Sequence, residues 1–329
     1  MVIHLKDLFS GKVILVTGGT GSFGNQFCKT LLKDHDPKTL RIFSRGEKLQ
    51  YDMNQKFKDD RLRFFIGDVR DRNRLYRAMN DVDIVVHAAA LKQVPACEYN
   101  PIEAIRTNID GAVNVIDAAL DNQIEKVMAI STDKAVHPVN LYGATKMTAE
   151  KLFVQANSYA GTQDTKFSCV RYGNVIGSRG SVIPLFLKQK KQGVLTITDA
   201  DMNRFWLTLE QGVNFVIDSL GKMIGGEIFI PKIPSMKIMD LAQAIAPDAK
   251  KKIIGIRPGE KIHEVLMTCD ESRHSKEFDG SFVIEPEHSF WSENNFDSGK
   301  KVAEGFTYSS DNNTEWLSQK EIKNIIEKL

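Results

Sequence analysis

Two short constellations in the middle of the chain could do chemistry. Tyr142 and Lys146 stand four apart in "NLYGATK", and Asp133 and Lys134 stand side by side in "STDKA", with Lys134 eight residues before the tyrosine. Positions i and i+4 share one face of a helix, so a helix over 141–159 brings the phenol and the amine together. A free tyrosine titrates near pH ~10 and is a weak base at neutrality. A nearby ammonium favours the phenolate. Such a pair can take the proton of an alcohol while hydride leaves the same carbon. The Asp133-Lys134 dipeptide adds a carboxyl and an amine at the end of a predicted buried strand, a second place for acid–base work.

Hydride needs an acceptor, and the amino-terminal region offers a place for one. "VTGGTGSFG" gives Gly18-x-x-Gly21-x-x-Gly24. Gly18 permits a tight turn, Gly21 lets backbone approach a pyrophosphate, and Gly24 lets the following helix pack on its strand. Thr20, Ser22 and Phe23 complete the loop, and the helix N-terminus turns unpaired N–H groups toward phosphate. The second strand runs into Ser44, Arg45 and Lys48, where dinucleotide sites that take NAD often carry an acid. A hydroxyl with two cations suits a 2′-phosphate, which favours NADP over NAD. Asp68 and Val69 in "GDVRD" are placed to edge an adenine. Ala88 and Ala89 in "HAAA" are small where a cofactor must pass.

The elements that must position these residues alternate along the first half. Strands are predicted at Val13–Thr17, 40–44, 63–66, 84–88, 127–131 and 167–171. They are short and rich in Val, Ile, Phe and Leu, as strands buried on both faces of a parallel sheet are. Helices are predicted at 23–33, Arg72–Met79, 101–120 and 141–159. This alternation implies an α/β fold with a doubly wound parallel sheet. After about Arg171 the rhythm breaks into "YGNVIGSRGSVIP" and less regular segments, a smaller carboxy-terminal substrate domain. The predicted division is 1–175 for the dinucleotide-binding domain, with later returning segments at about 205–231 that include "GGEIFIP", and 176–329 mainly for substrate.

Composition narrows the classes. The chain has 329 residues, 42% hydrophobic and 26% charged, with a formal net charge of +2. No long like-charge block suggests a nucleic-acid partner, and Lys188–Lys191 and Lys250–Lys252 read as solvated surface. No run approaches the ~20 apolar residues of a spanning helix, and "MVIHLKDLFSGK" is too polar for a signal peptide. Four cysteines, at 28, 97, 169 and 269, form no CxxC pair or zinc-ligand spacing, so reduced thiols, a cytoplasmic location and no metal are expected.

Taken together, TGxxGxxG, GDVRD, HAAA, STDK, YxxxK and RYGNV resemble the extended short-chain dehydrogenase/reductases, Rossmann proteins that act on nucleotide sugars. More closely, "TGGTGSFG", "HAAALKQVP", "STDKA", "NLYGATK", "RYGNVIGSRGSVIP" and "IGIRPGEKIHE" are similar to the inverting UDP-N-acetylglucosamine 4,6-dehydratases that begin pseudaminic acid synthesis. The similarity runs over nearly the whole chain. It implies NADP as a bound cofactor, UDP-N-acetylglucosamine as substrate and a homo-oligomer.

The resemblance also implies roles. Tyr142 and Lys146 serve oxidation at sugar carbon 4. Lys134 is the base at carbon 5, and Asp133 the acid toward the carbon 6 oxygen, with Lys134 or Tyr142 able to share the acid role. Hydride then returns to carbon 6. Lys92 and Thr107 lie near cofactor and substrate. Asn174, Val175, Arg179 and Thr208 hold the sugar and diphosphate, and Arg257 and Glu260 the phosphate and ribose. Arg pairs phosphate bidentately, which supports Arg179 and Arg257 independently. Retaining relatives carry Asp-Glu where this chain has Asp133-Lys134, so lysine here implies inversion at carbon 5. A UDP-sugar 4-epimerase, a retaining dehydratase and a non-catalytic NADP-binding protein are the competing readings. The first needs Tyr142 and Lys146 but not the Asp-Lys pair.

Overall fold

β1 (Val13–Thr17) is buried at every position, as expected of a strand covered on both faces. It is the third strand from one edge of a ten-stranded sheet in a computed structural model that describes residues 8–161, 163–177, 182–287, 296 and 298–327. β2 (Thr39–Ser44) and β3 (Leu62–Ile66) extend the sheet to one side. β4 (Ile84–His87), β5 (Lys126–Thr132) and β6 (Lys166–Tyr172) extend it to the other, all parallel. The resulting order, β3-β2-β1-β4-β5-β6, reverses direction between β1 and β4, which is where doubly wound sheets bind ligands at their carboxyl ends. The register sets Thr17 beside both Phe43 and His87, and Ser131 and Thr132 beside Arg171 and Tyr172, so these strands finish nearly level.

The predicted helices form, with two departures: the 141–159 helix is α-helical only over Leu141–Gln155 and ends in a 3₁₀ turn, Ala156–Tyr159, and the 101–120 helix is interrupted. The 101–120 segment is a short helix, Pro101–Ile105, then a π turn, Arg106–Asp110, then the helix Gly111–Asp121. In the first half two helices had no clear pattern in the sequence: Glu47–Phe57, which buries only Gln50 and Met53, and Val94–Tyr99, which buries Cys97. Weak burial explains why no apolar stripe announced them.

Beyond β6 the chain leaves the main sheet and re-enters it. β9 (Asn203–Leu207) pairs with β7 (Asn174–Val175) on one side and β11 (Ser235–Lys237) on the other, while β8 (Val194–Ile197) pairs with β12 (Lys250–Ile253). With the helix Ile238–Ile245 these segments bury a second apolar cluster containing Phe186, Leu195, Ile197, Trp206 and Leu241. β10 (Ile228–Pro231) returns parallel to β6. The chain comes back again through β14 (Ser275–Phe278), β15 (Ser281–Ile284) and β16 (Lys300–Lys301), which add antiparallel strands at that edge. β13 (Val265–Met267) and β17 (Tyr308–Ser309) form a small ladder whose Leu266, Met267 and Tyr308 join the main core. Arg171 on β6 fastens this return. Its guanidinium is 3% exposed and reaches Glu150 at 3.1 and 2.7 Å, Glu271 at 3.1 and 2.9 Å, and the Leu266 carbonyl at 2.9 Å.

All four cysteines are free thiols, and three are buried. Among the described residues no helix is long and apolar enough to cross a membrane.

Candidate active site

The carboxyl ends of the strands open into one cleft of about 1330 Å³ that also reaches the second core. At its nucleotide end, Gly18 has φ +67°, and a Cβ there would lie 2.9 Å from the Ala89 backbone. The loop therefore packs directly on "HAAA" only because residue 18 has no side chain. Gly24 sits behind the loop, where a Cβ would fall 2.2 Å from the Gly19 carbonyl oxygen, so it serves packing rather than lining. The helix Ser22–Asp34 starts without a capping side chain and without an acid in its first turn. Its positive end is thus left to an anion. Gly18, Thr20, Gly21, Ser22, Phe23, Ala88, Ala89, Lys92 and Thr107 all line the cleft. This cradle fits the pyrophosphate of a dinucleotide.

The ribose end is more selective. Ser44, Arg45, Asp68 and Val69 line the cleft, with Arg45 4.0 Å from Asp68. Burial pushes the Asp68 carboxyl up, but two hydrogen bonds from Arg70, at 3.0 and 2.7 Å, outweigh it and hold the carboxyl below its usual range. Lys48 is elsewhere. Its ammonium bonds Asp52 one turn along the helix, at 3.1 and 2.9 Å, and its side chain is 85% exposed, so of the two predicted cations only Arg45 lines the cleft.

The helix Leu141–Gln155 begins at Asn140, whose side chain accepts from the Gly143 amide and donates to the Gly259 carbonyl, each at 2.8 Å. That cap fixes where Tyr142 and Lys146 stand. Both are buried and line the cleft. Lys146 Nζ donates to the Ile130 carbonyl at 2.7 Å, and burial lowers its pKa. Burial raises the Tyr142 phenol to about 12, against the opposing pull of Lys134 and a hydrogen bond with Thr132. Asn108, carried on the π turn, bonds the Leu91 amide and carbonyl at 2.8 and 2.9 Å and the Thr145 hydroxyl at 2.9 Å. It ties the "HAAAL" loop to the helix of the tyrosine.

Asp133 and Lys134 form a single 3₁₀ turn after β5. The turn presses on the helix beside Gly143, where a Cβ would fall 2.1 Å from the Lys134 carbonyl oxygen. Asp133 is fully buried and accepts from Thr132 Oγ1 at 2.8 Å and Lys134 Nζ at 3.0 Å. Its other oxygen, Oδ2, is buried without a hydrogen bond. Lys134 faces a second carboxylate, Glu264, at 3.6 Å. Burial would lower the Lys134 pKa, but Asp133 and Glu264 reverse this and raise it, so the residue rests as an ammonium. Glu264 is itself 2% exposed and stands 3.6 Å from Arg204 and 4.0 Å from Lys261. Arg204 also grips the carbonyls of Asn203, Lys261 and Ile262 at 2.7 to 2.9 Å, fixing the segment that carries Glu264.

Glu264, Arg204 and Lys261 were not singled out from the sequence. Glu264 closes the quoted "IGIRPGEKIHE", but nothing local says that it will meet a residue 130 positions earlier. Asn174, Val175, Arg257 and Glu260 line the cleft, with Arg257 and Glu260 3.6 Å apart. Asn174 Oδ1 and Glu260 Oε2 are buried without hydrogen bonds, polar atoms that a ligand could engage. Thr208 does not line the cleft. It caps the helix Leu209–Lys222 in a capping box with Gln211, its hydroxyl accepting at 3.1 Å. Arg179 lies outside the described residues.

Residues 14–286 match the family model described as polysaccharide biosynthesis protein. A Campylobacter jejuni protein named UDP-N-acetylglucosamine 4,6-dehydratase (inverting) is 54% identical over 328 residues, covering 97% of this chain and 98% of its own. A Rickettsia conorii protein named UDP-glucose 4-epimerase is 42% identical over 329 residues, covering 97% and 96%. Among solved structures, the X-ray structure of Pen from Bacillus thuringiensis superposes with a TM-score of 0.90 at 40% identity, covering 97% of this chain and 98% of that one.

Proposed function

The chain belongs to the polysaccharide biosynthesis protein family, within the extended short-chain dehydrogenase/reductases, and from that premise we propose that it is a C5-inverting UDP-N-acetylglucosamine 4,6-dehydratase using NADP. The observation that carries the reading is the packing of the Asp133-Lys134 turn against the helix of Tyr142 and Lys146, so that both constellations line one cleft. The predicted product is a UDP-linked 4-keto-6-deoxy sugar of arabino configuration, the starting point for pseudaminic acid.

Bound NADP would supply a hydride acceptor and donor within one turnover, held by the Gly18–Gly24 loop and, at its 2′-phosphate, by Arg45. Tyr142 takes the proton of the carbon 4 hydroxyl; the Lys134 ammonium and the Thr132 hydroxyl favour the phenolate, and Lys146, one turn along the helix, is the proposed second cation. The ketone formed acidifies the proton on carbon 5. Lys134 removes that proton, and Asp133 protonates the departing carbon 6 oxygen, which leaves as water. Because Lys134 rests as an ammonium between two carboxylates, it must shed a proton before it acts. Asn174, Arg257 and Glu260 are the proposed holders of the sugar, phosphate and ribose.

A 4-epimerase is the second reading, favoured by the 42% identity to a protein of that name. It uses Tyr142 and Lys146 and leaves Asp133 and Lys134 idle. Incubation with UDP-N-acetylglucosamine in deuterated water, followed by proton NMR, separates the two. Dehydration with deuterium at carbon 5 is the expected result, and formation of UDP-N-acetylgalactosamine alone refutes it. Lys134→Ala is expected to bind NADP normally and to lose water elimination; a variant with full dehydratase activity removes Lys134 from the mechanism.

A further inference from the structure

The dehydratase reading leaves an open problem: a lysine held between carboxylates is a poor base. The structure offers a residue that solves it. Glu264 lies across the Lys134 ammonium from Asp133 and lines the same cleft. The two acids are not equivalent. Asp133 Oδ1 accepts hydrogen bonds from Thr132 and Lys134, at 2.8 and 3.0 Å, although its Oδ2 accepts none. The cations nearest to Glu264 stand at 3.6, 3.6 and 4.0 Å, and its Oε2 is buried with no hydrogen bond at all. A buried carboxylate so poorly solvated favours its neutral form.

We infer that Glu264 is a positioning residue that stores the Lys134 proton, so that Lys134 meets carbon 5 as a free amine. This rests on the dehydratase reading. In the step, a Lys134 N–H bond breaks, a Glu264 O–H bond forms, and the electron pair stays on nitrogen. The amine takes the carbon 5 proton while the C–H pair becomes the new C5=C6 bond and the C6–O pair leaves with oxygen. The cluster then holds one proton more than at rest. That proton passes through Lys134 to Asp133 and departs with the oxygen as water, which restores the ammonium and both carboxylates.

The charged groups around the pair come from three segments: Asp133 and Lys134 on the turn, Arg204 on β9, and Lys261 and Glu264 before β13. The Tyr142 phenol faces them from its helix. Burial pushes the Glu264 carboxyl up, ahead of the lowering effect of Lys134, Arg204 and Lys261. The resting ion pair and its amine–acid form contain the same number of protons. Their balance is therefore independent of pH wherever the ion pair is the ground state.

The test is the pH dependence of dehydration by the full chain loaded with NADP and UDP-N-acetylglucosamine. Wild type is expected to show a flat profile from about pH 7 to 9. In Glu264→Gln the only carboxylate left beside Lys134 is Asp133; if Glu264 is the proton store, the active amine then comes only from ionisation to solvent, and kcat should rise about tenfold per pH unit with KM nearly unchanged, whereas storage on Asp133 would leave the profile flat. Glu264→Asp keeps the charge on a shorter arm and should be slower but flat. A lower but flat profile in Glu264→Gln overturns the inference, because a purely structural glutamate would behave that way. A rising profile in Glu264→Asp also overturns it. If Glu264→Gln does not fold, the Asp variant alone decides, since restoring a flat profile there supports the proton store. A wild type that epimerises but does not dehydrate refutes the functional reading itself, and the inference with it.

Discussion

Replacing Gly143 by alanine sets two rules against each other. Alanine in a helix interior is better than glycine by about 1 kcal/mol, so an isolated helix would gain from it. Here the new Cβ would lie 2.1 Å from the Lys134 carbonyl oxygen and 3.0 Å from Pro138 Cβ. Ordinary contact begins at 3.4 Å, so the turn carrying Asp133 and Lys134 must retreat by about 1.3 Å. The oxygen belongs to backbone and cannot swing aside as a side-chain tip would. Overpacking of this kind costs about 1–3 kcal/mol, which cancels or exceeds the propensity gain and lowers Tm by a few degrees. The larger effect is on chemistry. Displacement of a reacting group by about 1 Å can cost ~10²-fold in rate, and the group displaced is the Lys134 station, not the phosphate loop. Gly143→Ala should therefore bind NADP like wild type, melt slightly lower and dehydrate about a hundredfold more slowly, measured by thermal denaturation, cofactor titration and NMR of the product. A variant that melts above wild type and dehydrates at the wild-type rate would show that the turn does not press on the helix as described.

Other outcomes follow from single residues. Arg171→Ala leaves Glu150 buried and Glu271 half-buried without their cation, and urea unfolding should show a loss of about 3–5 kcal/mol. Arg45→Ala should weaken NADP about tenfold or more while leaving NAD nearly unchanged, read by fluorescence titration of both cofactors; equal weakening would deny Arg45 the 2′-phosphate. His87 is fully buried, 2.8 Å from the Thr17 hydroxyl, and burial, ahead of Lys146, lowers its pKa from 6.5 to about 3. Between those values the unfolded chain binds the proton and the folded one does not. His87 therefore costs stability progressively as pH falls from 6.5 toward 3, and His87→Gln should lose less stability than wild type over that window.

What the sequence discloses depends on distance along the chain. The loop Gly18–Gly24, the strands of the parallel sheet and the Tyr142–Lys146 pair are local patterns, and the structure places them as their spacing predicts. Glu47–Phe57 was illegible because a helix that buries two residues has no stripe to read. Lys48 and Thr208 show the reverse failure. Their residue types suit a ligand, but an aspartate one turn away and a helix terminus claim them first. The cluster of Lys134, Arg204, Lys261 and Glu264 joins three segments far apart in sequence, and no period or short motif encodes such a meeting. The π turn was hidden for a different reason: an apolar pattern reports that a helix continues, not how many residues one of its turns contains.

That turn has a consequence for how chain length is tolerated here. A π turn accommodates one residue more than the α-helix needs, and the helix beyond it, Gly111–Asp121, keeps its buried face of Ala112, Val115, Ile116 and Ala119. Loss of one residue from Arg106–Asp110 could thus be absorbed by straightening the helix, with the sheet behind it undisturbed. The casualty would be Asn108, which would rotate away from Leu91 and Thr145 and release the alanine loop from the tyrosine helix. At this place a deletion is silent to folding and loud to catalysis, so descendants of this sequence can keep their architecture and lose their chemistry in a single step.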